Sequence, residues 1–355
     1  MTDQERKVFA DEISAGLSAN PKSISSKWFY DEIGDDLFIK IMNMPEYYLT
    51  DCEFEIFNNQ TDKIIESFDM RRSFDLYELG AGDGTKTIEL LKQLNAKQFT
   101  YRPIDISTNA ISNLQSRIKD ELPEIVVEGI SGEYFKVLKN LKNNRPKVVL
   151  FLGSNIGNLR DDQAKDFLSK LSDCMHIGDK LLLGVDLKKD ASIILPAYND
   201  AQGHTAQFNL NLLQRINREL GANYDLKKFR HTPVYDREEG IAKSYLECLE
   251  PTKVYIEALD QSFEFEHGER LFTEISRKYD IDTLKLLTES TGLELISTFY
   301  DSRKYFCDAL FEKQYRLKQP KYQGGAEFEF NRPVVAIEIT NFKGGYNGSV
   351  GSNHA

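Results

Sequence analysis

Apolar positions near the start of the chain recur at helical spacing. Val8, Ile13 and Leu17 are set among charged residues, which predicts a helix over 4–17 that Asn20-Pro21 ends. An aromatic stretch follows, Lys27-Trp28-Phe29-Tyr30-Asp31, then a short helix over 35–43. Pro45 breaks it, and a longer helix is predicted over 52–68. From Phe74 onward the pattern changes to short apolar runs alternating with amphipathic segments. Strands are predicted at 74–79, 99–104, 125–128, 147–152 and 180–186, and helices at 85–94, 109–119 and 161–174, with Asp161 as the N-cap of the last. The run Lys147-Val148-Val149-Leu150-Phe151-Leu152 is apolar nearly throughout, as a central strand covered on both faces must be. Repeated strand–helix units with right-handed crossovers give a doubly wound, Rossmann-like α/β core.

The alternation stops after Asp186. A long helix over 203–220 and Tyr- and charge-rich segments at 234–236 and 253–258 interrupt it. The sheet pattern then returns, with a helix over 281–291 and strands at 293–300 and 305–311. We therefore expect two domains. Residues 1–52 and 189–278 form one, residues 53–188 and 279–315 form the Rossmann-like one, and 316–355 is a C-terminal extension with a strand-like run at 333–340 and a Gly/Asn/Ser-rich end.

Composition removes several function classes. The net charge of −11 lacks the cationic footprint of a nucleic-acid binder. Cys52, Cys174, Cys248 and Cys307 form no CxxC pair, and the five histidines form no HxxxH or HxH pair, so neither a metal site nor a disulfide framework is expected. The first ten residues lack a signal core, and no apolar run approaches the ~20 residues of a membrane span. The expectation is a cytoplasmic monomer that binds neither membrane nor nucleic acid.

The densest chemistry lies in Glu78-Leu79-Gly80-Ala81-Gly82-Asp83-Gly84-Thr85-Lys86-Thr87, between the first core strand and its helix. Glycines there let the backbone turn sharply and let a ligand approach it. Flavins, nicotinamide nucleotides and adenosylmethionine all use such loops. The spacing departs from the dinucleotide GxGxxG pattern, an acid precedes the glycines, and Asp105 ends the second strand where a carboxylate can accept ribose hydroxyls. These features indicate a nucleoside cofactor and leave its identity open. Lys86 is either a cation for an acidic end of that cofactor or a solvated helix lysine.

Four further segments resolve the choice. They are Lys27-Trp28-Phe29-Tyr30-Asp31, Pro45-Glu46-Tyr47-Tyr48, Phe151-Leu152-Gly153-Ser154-Asn155-Ile156-Gly157-Asn158-Leu159 and Phe272-Thr273-Glu274-Ile275-Ser276. In this order around the glycine loop, the chain resembles the histidine-specific methyltransferase family of the ergothioneine pathway, from about Lys27 to Phe311. The resemblance implies a class I methyltransferase core and a second, substrate-binding domain built from the N-terminal segment and the insertion. It implies S-adenosylmethionine as cofactor, held by Gly80, Gly82, Lys86, Asp105, Glu133 and Tyr134. Glu133-Tyr134 stands where the family carries an Asp-Phe pair. Free histidine is the implied substrate, held by Tyr47, Gly153, Asn158, Tyr198, Glu274 and Ser276, with Tyr30 and Asn158 acting at the reacting amine. Glu274 and Ser276 are the implied readers of the imidazole, and their spacing of two suits one face of a strand. The chain departs from the family near Ser244, where a bulky apolar residue is usual. That departure keeps open a different amino acid such as tryptophan, and a non-catalytic nucleoside binder stands as the other alternative.

Overall fold

The computed structural model describes residues 2–82, 84–132, 134–140 and 145–315. The predicted strand-like run at 333–340, the rest of the extension and Glu133 lie outside them. The chain opens with helix α1 (Asp3–Ser18), a short 3-10 turn (Ser26–Phe29), α2 (Glu32–Met42) and α3 (Tyr48–Phe68). The alternating region gives β1 (Phe74–Leu79), α4 (Thr85–Gln93), β2 (Phe99–Asp105), α5 (Thr108–Glu121), β3 (Ile130–Ser131), α6 (Tyr134–Asn140), β4 (Lys147–Phe151), a 3-10 turn (Asn155–Asn158), α7 (Asp161–Asp173) and β5 (Lys180–Asp186). The insertion supplies α8 (Ala191–Tyr198), α9 (His204–Leu220), β6 (Phe229–His231), β7 (Val234–Asp236), β8 (Ile241–Cys248), β9 (Thr252–Ile256), β10 (Gln261–Phe265) and β11 (Arg270–Arg277). Helix α10 (Ile281–Thr288) and strands β12 (Leu293–Tyr300) and β13 (Phe306–Lys313) complete the described part.

One seven-stranded sheet runs in the order β12-β13-β5-β4-β1-β2-β3. Strands β1 to β5 pair in parallel, and β13 enters antiparallel between β5 and β12. Strands β1, β4 and β5 are buried at every residue, which is why they read as unbroken apolar runs. The α3 face of the sheet carries Cys52, Ile56, Phe57, Ile64 and Phe68; the opposite face packs Phe167, Leu168 and Leu171 of α7 with Leu284 and Leu287 of α10. This is the doubly wound, Rossmann-like core that the strand–helix alternation implies. The boundary drawn at 52/53 falls inside α3, a single helix lying on this sheet.

A third core joins α1 and α2 to the insertion. Phe9, Ile13 and Leu17 of α1 and Leu37 and Ile41 of α2 pack with Phe208, Leu212, Leu213, Ile216 and Leu220 of α9. Beneath them lie the sheet β11-β8-β6 and the hairpin β9-β10. Left-handed glycines, Gly203 and Gly221, delimit α9 at its two ends.

Two local expectations need correction. The strand expected at 125–128 is absent; Val127 makes only an isolated bridge to Tyr101, and β3 forms at Ile130–Ser131, where it meets the end of β2. Asp161 is the first residue of α7, not its cap; Arg160 occupies the cap position, and its N–H donates to Gln163 Oε1 at 3.1 Å. Asp161 still places negative charge at the positive helix end.

Leu212 is fully buried where α9 meets the N-terminal helices. Leu212→Ala should lower stability by about 2–5 kcal/mol, the range for a buried leucine that leaves a cavity. Urea unfolding measures it, and a loss below about 1 kcal/mol would mean that this face is not a packed core.

Candidate active site

The glycine loop leaves β1 in left-handed backbone at Gly80 and Gly82 (φ 71° and 54°). A Cβ at Gly80 would come within 2.7 Å of Tyr134 Oη, whereas one at Gly82 would meet nothing within 4 Å. The loop is thus closed on one side by Tyr134 and open over Gly82. Asp105 stands beside it at the end of β2. Its carboxylate accepts from Ser107 N–H at 2.9 Å and only distantly, at 3.5 Å, from Gly82 N–H, leaving lone pairs for a ligand's hydroxyls. The next residue, Ile106, is 82 % exposed and gives an apolar surface next to that carboxylate. An open backbone turn, an acceptor carboxylate and an apolar shelf fit a nucleoside. Under the loop, buried Glu78 accepts from Thr87 Oγ1 (2.6 Å) and Tyr101 Oη. Burial pushes its pKa up to about 7 against the pull of these hydroxyls.

Lys86 extends from the first turn of α4 to Glu53 of α3, with which it forms an ion pair. Burial works against its charge, and Glu53 outweighs burial, so its pKa is raised. Glu53 also accepts from Gly153 N–H (2.8 Å to Oε1, 3.1 Å to Oε2). The same carboxylate therefore ties the loop after β1 to the loop after β4. Asp308 of β13 lies fully buried beside Glu53; burial first, and then the charge of Glu53, raise its pKa well above the usual carboxylate value. Gly184 of β5 makes room for both, since a Cβ there would meet Glu53 Oε1 at 2.3 Å and Asp308 Oδ1 at 3.1 Å.

The other half of the site comes from the smaller sheet. Glu274 and Ser276 lie on β11, two residues apart, after a register shift between Phe272 and Glu274. Ser244 of β8 pairs directly with Glu274, and its hydroxyl lies 3.5 Å from Glu274 Oε2. Burial raises the Glu274 pKa to about 7, opposed by the charge of Lys278 and the Ser244 hydroxyl. Tyr198, the last residue of α8, donates to Ser276 Oγ at 2.7 Å. His231 Nε2–H holds the Tyr198 carbonyl at 2.8 Å; burial lowers the pKa of that histidine, which favours its neutral form. Tyr47 is raised far above the ordinary phenol value by burial and then by Tyr198, Tyr30, Glu274 and Asp186, which surround it. Tyr30 is 41 % exposed and shifts in the same direction, through desolvation first and then Glu274, Asp35 and Tyr134. Tyr30 is thus within electrostatic reach of both halves of the site.

Gly153, Lys86 and the Asn155 amide converge after β4: a Cβ at Gly153 would lie 3.6 Å from both Lys86 Nζ and Asn155 Nδ2. Asn158 ends the following 3-10 turn. The turn is pinned to β11 at Gly157, where a Cβ would come within 2.8 Å of the Arg277 carbonyl.

The structure thus groups Gly80, Gly82, Asp105 and Tyr134 around one loop and Tyr47, Tyr198, Glu274 and Ser276 around one space. Lys86, Gly153 and Asn158 lie in and beside the loop after β4. Sequence reasoning missed Glu53, Asp186, Lys278 and Asp308. Glu53, Asp186 and Asp308 each had a visible signal, a charged residue within or at the end of an apolar stripe. Glu53 follows Leu49 and precedes Phe57 by one helical turn each, and Asp308 interrupts Phe306-Cys307-Asp308-Ala309-Leu310-Phe311.

Glu274 holds its proton more tightly in the folded chain than an ordinary glutamate carboxyl, which titrates at 4.5. Its contribution to stability is therefore complete below pH 4.5 and lost as pH rises through about 7. Glu274→Gln should gain stability relative to the parent across that interval. Denaturant unfolding of both proteins at several pH values measures this, and parallel curves would contradict the shifted pKa.

Residues 9–313 match the model of the histidine-specific, SAM-dependent methyltransferase family. The chain is 37 % identical over 293 residues to the histidine N-alpha-methyltransferase of Mycolicibacterium smegmatis, covering 82 % of this chain and 90 % of that one. It is 35 % identical to the enzyme of the same name from Mycobacterium tuberculosis, with the same coverage of both chains. Ergothioneine biosynthesis protein 1 of Neurospora crassa is 28 % identical over 80 % of this chain and 32 % of its own length. The chain belongs to the histidine-specific, S-adenosylmethionine-dependent methyltransferase family.

Proposed function

We propose that this protein methylates the α-amino group of free L-histidine three times, giving the betaine hercynine. The observation that carries the substrate is the pair Glu274 and Ser276 on β11, a carboxylate and a hydroxyl two residues apart facing the space bounded by Tyr47 and Tyr198. A carboxylate can accept a ring N–H while a hydroxyl donates to the other ring nitrogen. A side chain without that pattern leaves Glu274 unpaired, which is costly in a site removed from water.

Adenosylmethionine, when bound, supplies a methyl group on a sulfonium centre that an amine lone pair can displace. Gly80, Gly82, Asp105, Glu133 and Tyr134 would hold its nucleoside, and Lys86 its acidic end. Residues 1–52 and 189–278, together with the loop after β4, would hold the amino acid. An ammonium has no lone pair, so the amine must be neutral when it reacts. Asn158 suits that need: its carbonyl can accept an amine N–H while its amide donates to the carboxylate. Tyr198 lines the same space with its one hydrogen given to Ser276 Oγ, and the Gly153 carbonyl is a further acceptor for the amine. Tyr30 closes the site near the reacting nitrogen. Holding the amine in line accounts for much of the rate enhancement. The reading includes a cytoplasmic location and a monomer.

A second acceptor is favoured by one observation. Ser244, a small residue, pairs directly with Glu274 at a position where the family carries a larger side chain. A bulkier amino acid such as tryptophan would need the volume that the smaller side chain gives up.

Mass spectrometry after incubation with adenosylmethionine and the twenty amino acids separates these readings. Histidine should gain three methyl groups; trimethylation of another amino acid at higher kcat/KM would overturn the imidazole reading. Asp105→Ala should weaken adenosylmethionine binding by tenfold or more, about 1.4 kcal/mol, in calorimetry. An unchanged Kd would remove Asp105 from the cofactor site. Glu274→Ala should reduce preference for histidine far more than cofactor affinity, and equal losses would contradict its role.

A further inference from the structure

Glu274 and Ser276 alternate onto one face of β11. Past Glu274 and Ser276 the next position is Lys278, which has no exposed surface. Its ammonium carries three N–H donors. All three have acceptors: Asp186 Oδ2 at 2.7 Å, Tyr198 Oη at 2.6 Å and Ser276 Oγ at 2.9 Å. Ser276 Oγ also accepts from Tyr198 Oη at 2.7 Å. A serine hydroxyl has two lone pairs and one hydrogen. Both lone pairs of Ser276 are occupied, and only its hydrogen is left for a ligand.

We infer that Lys278 is a positioning residue that makes Ser276 a hydrogen-bond donor only, so that the pocket selects a ring nitrogen bearing a lone pair and rejects one bearing N–H. This rests on the proposed role of Ser276 at the imidazole. Ionised Glu274 is an acceptor only. Donor and acceptor together match a neutral imidazole, which has one N–H and one lone pair. They mismatch pyrrole and indole rings, which offer N–H alone, and imidazolium, which offers two. Removing Lys278 returns a lone pair to Ser276 and lets it accept, which removes the mismatch.

Lys278→Met fills a similar volume without donors, and Asp186 retains Lys189 and Tyr48 as partners. The test compares kcat/KM for histidine and for the pyrrol-2-yl and pyrrol-3-yl analogues of alanine, which keep a ring N–H and lack a ring lone pair. Five proteins are needed: the parent, Lys278→Met, Lys278→Gln, Ser276→Ala and the double variant Lys278→Met with Ser276→Ala, with adenosylmethionine Kd as the check that each site is formed. Lys278→Met should narrow the preference for histidine over the better analogue by roughly tenfold or more. It should have no further effect on that preference in the Ser276→Ala background. Lys278→Gln, which retains N–H donors, should keep part of the preference. An unchanged preference in Lys278→Met, with Ser276→Ala lowering it, would overturn the inference alone. An unchanged preference in Ser276→Ala would overturn the role of Ser276, and the inference with it. Equal losses in the Met and Gln variants would show a structural role and also overturn it.

Discussion

Asp186 and Lys278 form an ion pair in which neither residue has any exposed surface, and the candidate site is assembled around it. Removing two charges from water costs several kcal/mol each, and attraction between them offsets this only when the remaining donors and lone pairs are satisfied. Here they are. Asp186 also takes Lys189 and the Tyr48 hydroxyl, while Lys278 also donates to Tyr198 and Ser276. The partners come from the C-terminal end of β5, the start of α3, the end of α8 and the end of β11. A pair this dependent on its surroundings is favourable only when the parallel sheet and the smaller sheet are brought together. The backbone adds to the join, with Tyr279 N–H donating to the Asp186 carbonyl at 2.8 Å.

The same low-dielectric setting explains the unusual carboxyls. Glu78, Glu274 and Asp308 all have raised pKa values, with burial as the largest cause in each. Glu53 differs in having Lys86 and the Gly153 N–H as partners. The site thus contains acceptors whose charge is supported from within, as Glu53 is, and others, as Glu274 is, that gain from a donor brought by a ligand. A substrate with a ring N–H supplies such a donor. This gives a physical reason for selectivity that does not depend on the pocket's shape alone.

Much of this was legible in the sequence. The bounds of β1 and β5 follow directly from apolar runs buried on both faces, and Glu274 and Ser276 were placed on one strand face by their spacing. The glycine loop and Asp105 were legible because backbone turns and strand ends leave local signals. Strand β3 was not, because its position is set by pairing to Ile104 and Asp105 at the end of β2, not by its own two residues. Lys278 was not read either. A lysine beside an arginine at the end of a strand reads as solvated charge, and only the approach of Asp186, almost a hundred residues earlier, makes it part of the core. The division of roles between Tyr198 and Ser276 also changes in three dimensions, since the two hydroxyls bond to each other and act as one unit.

A crystal structure with histidine and the demethylated cofactor, S-adenosylhomocysteine, tests the central claim most directly. The account predicts the imidazole between Glu274 and Ser276, the carboxylate near Asn158 and Tyr198, and the amine directed at the cofactor sulfur across Tyr30. Histidine bound with its ring away from β11, or its amine turned from the sulfur, would contradict it.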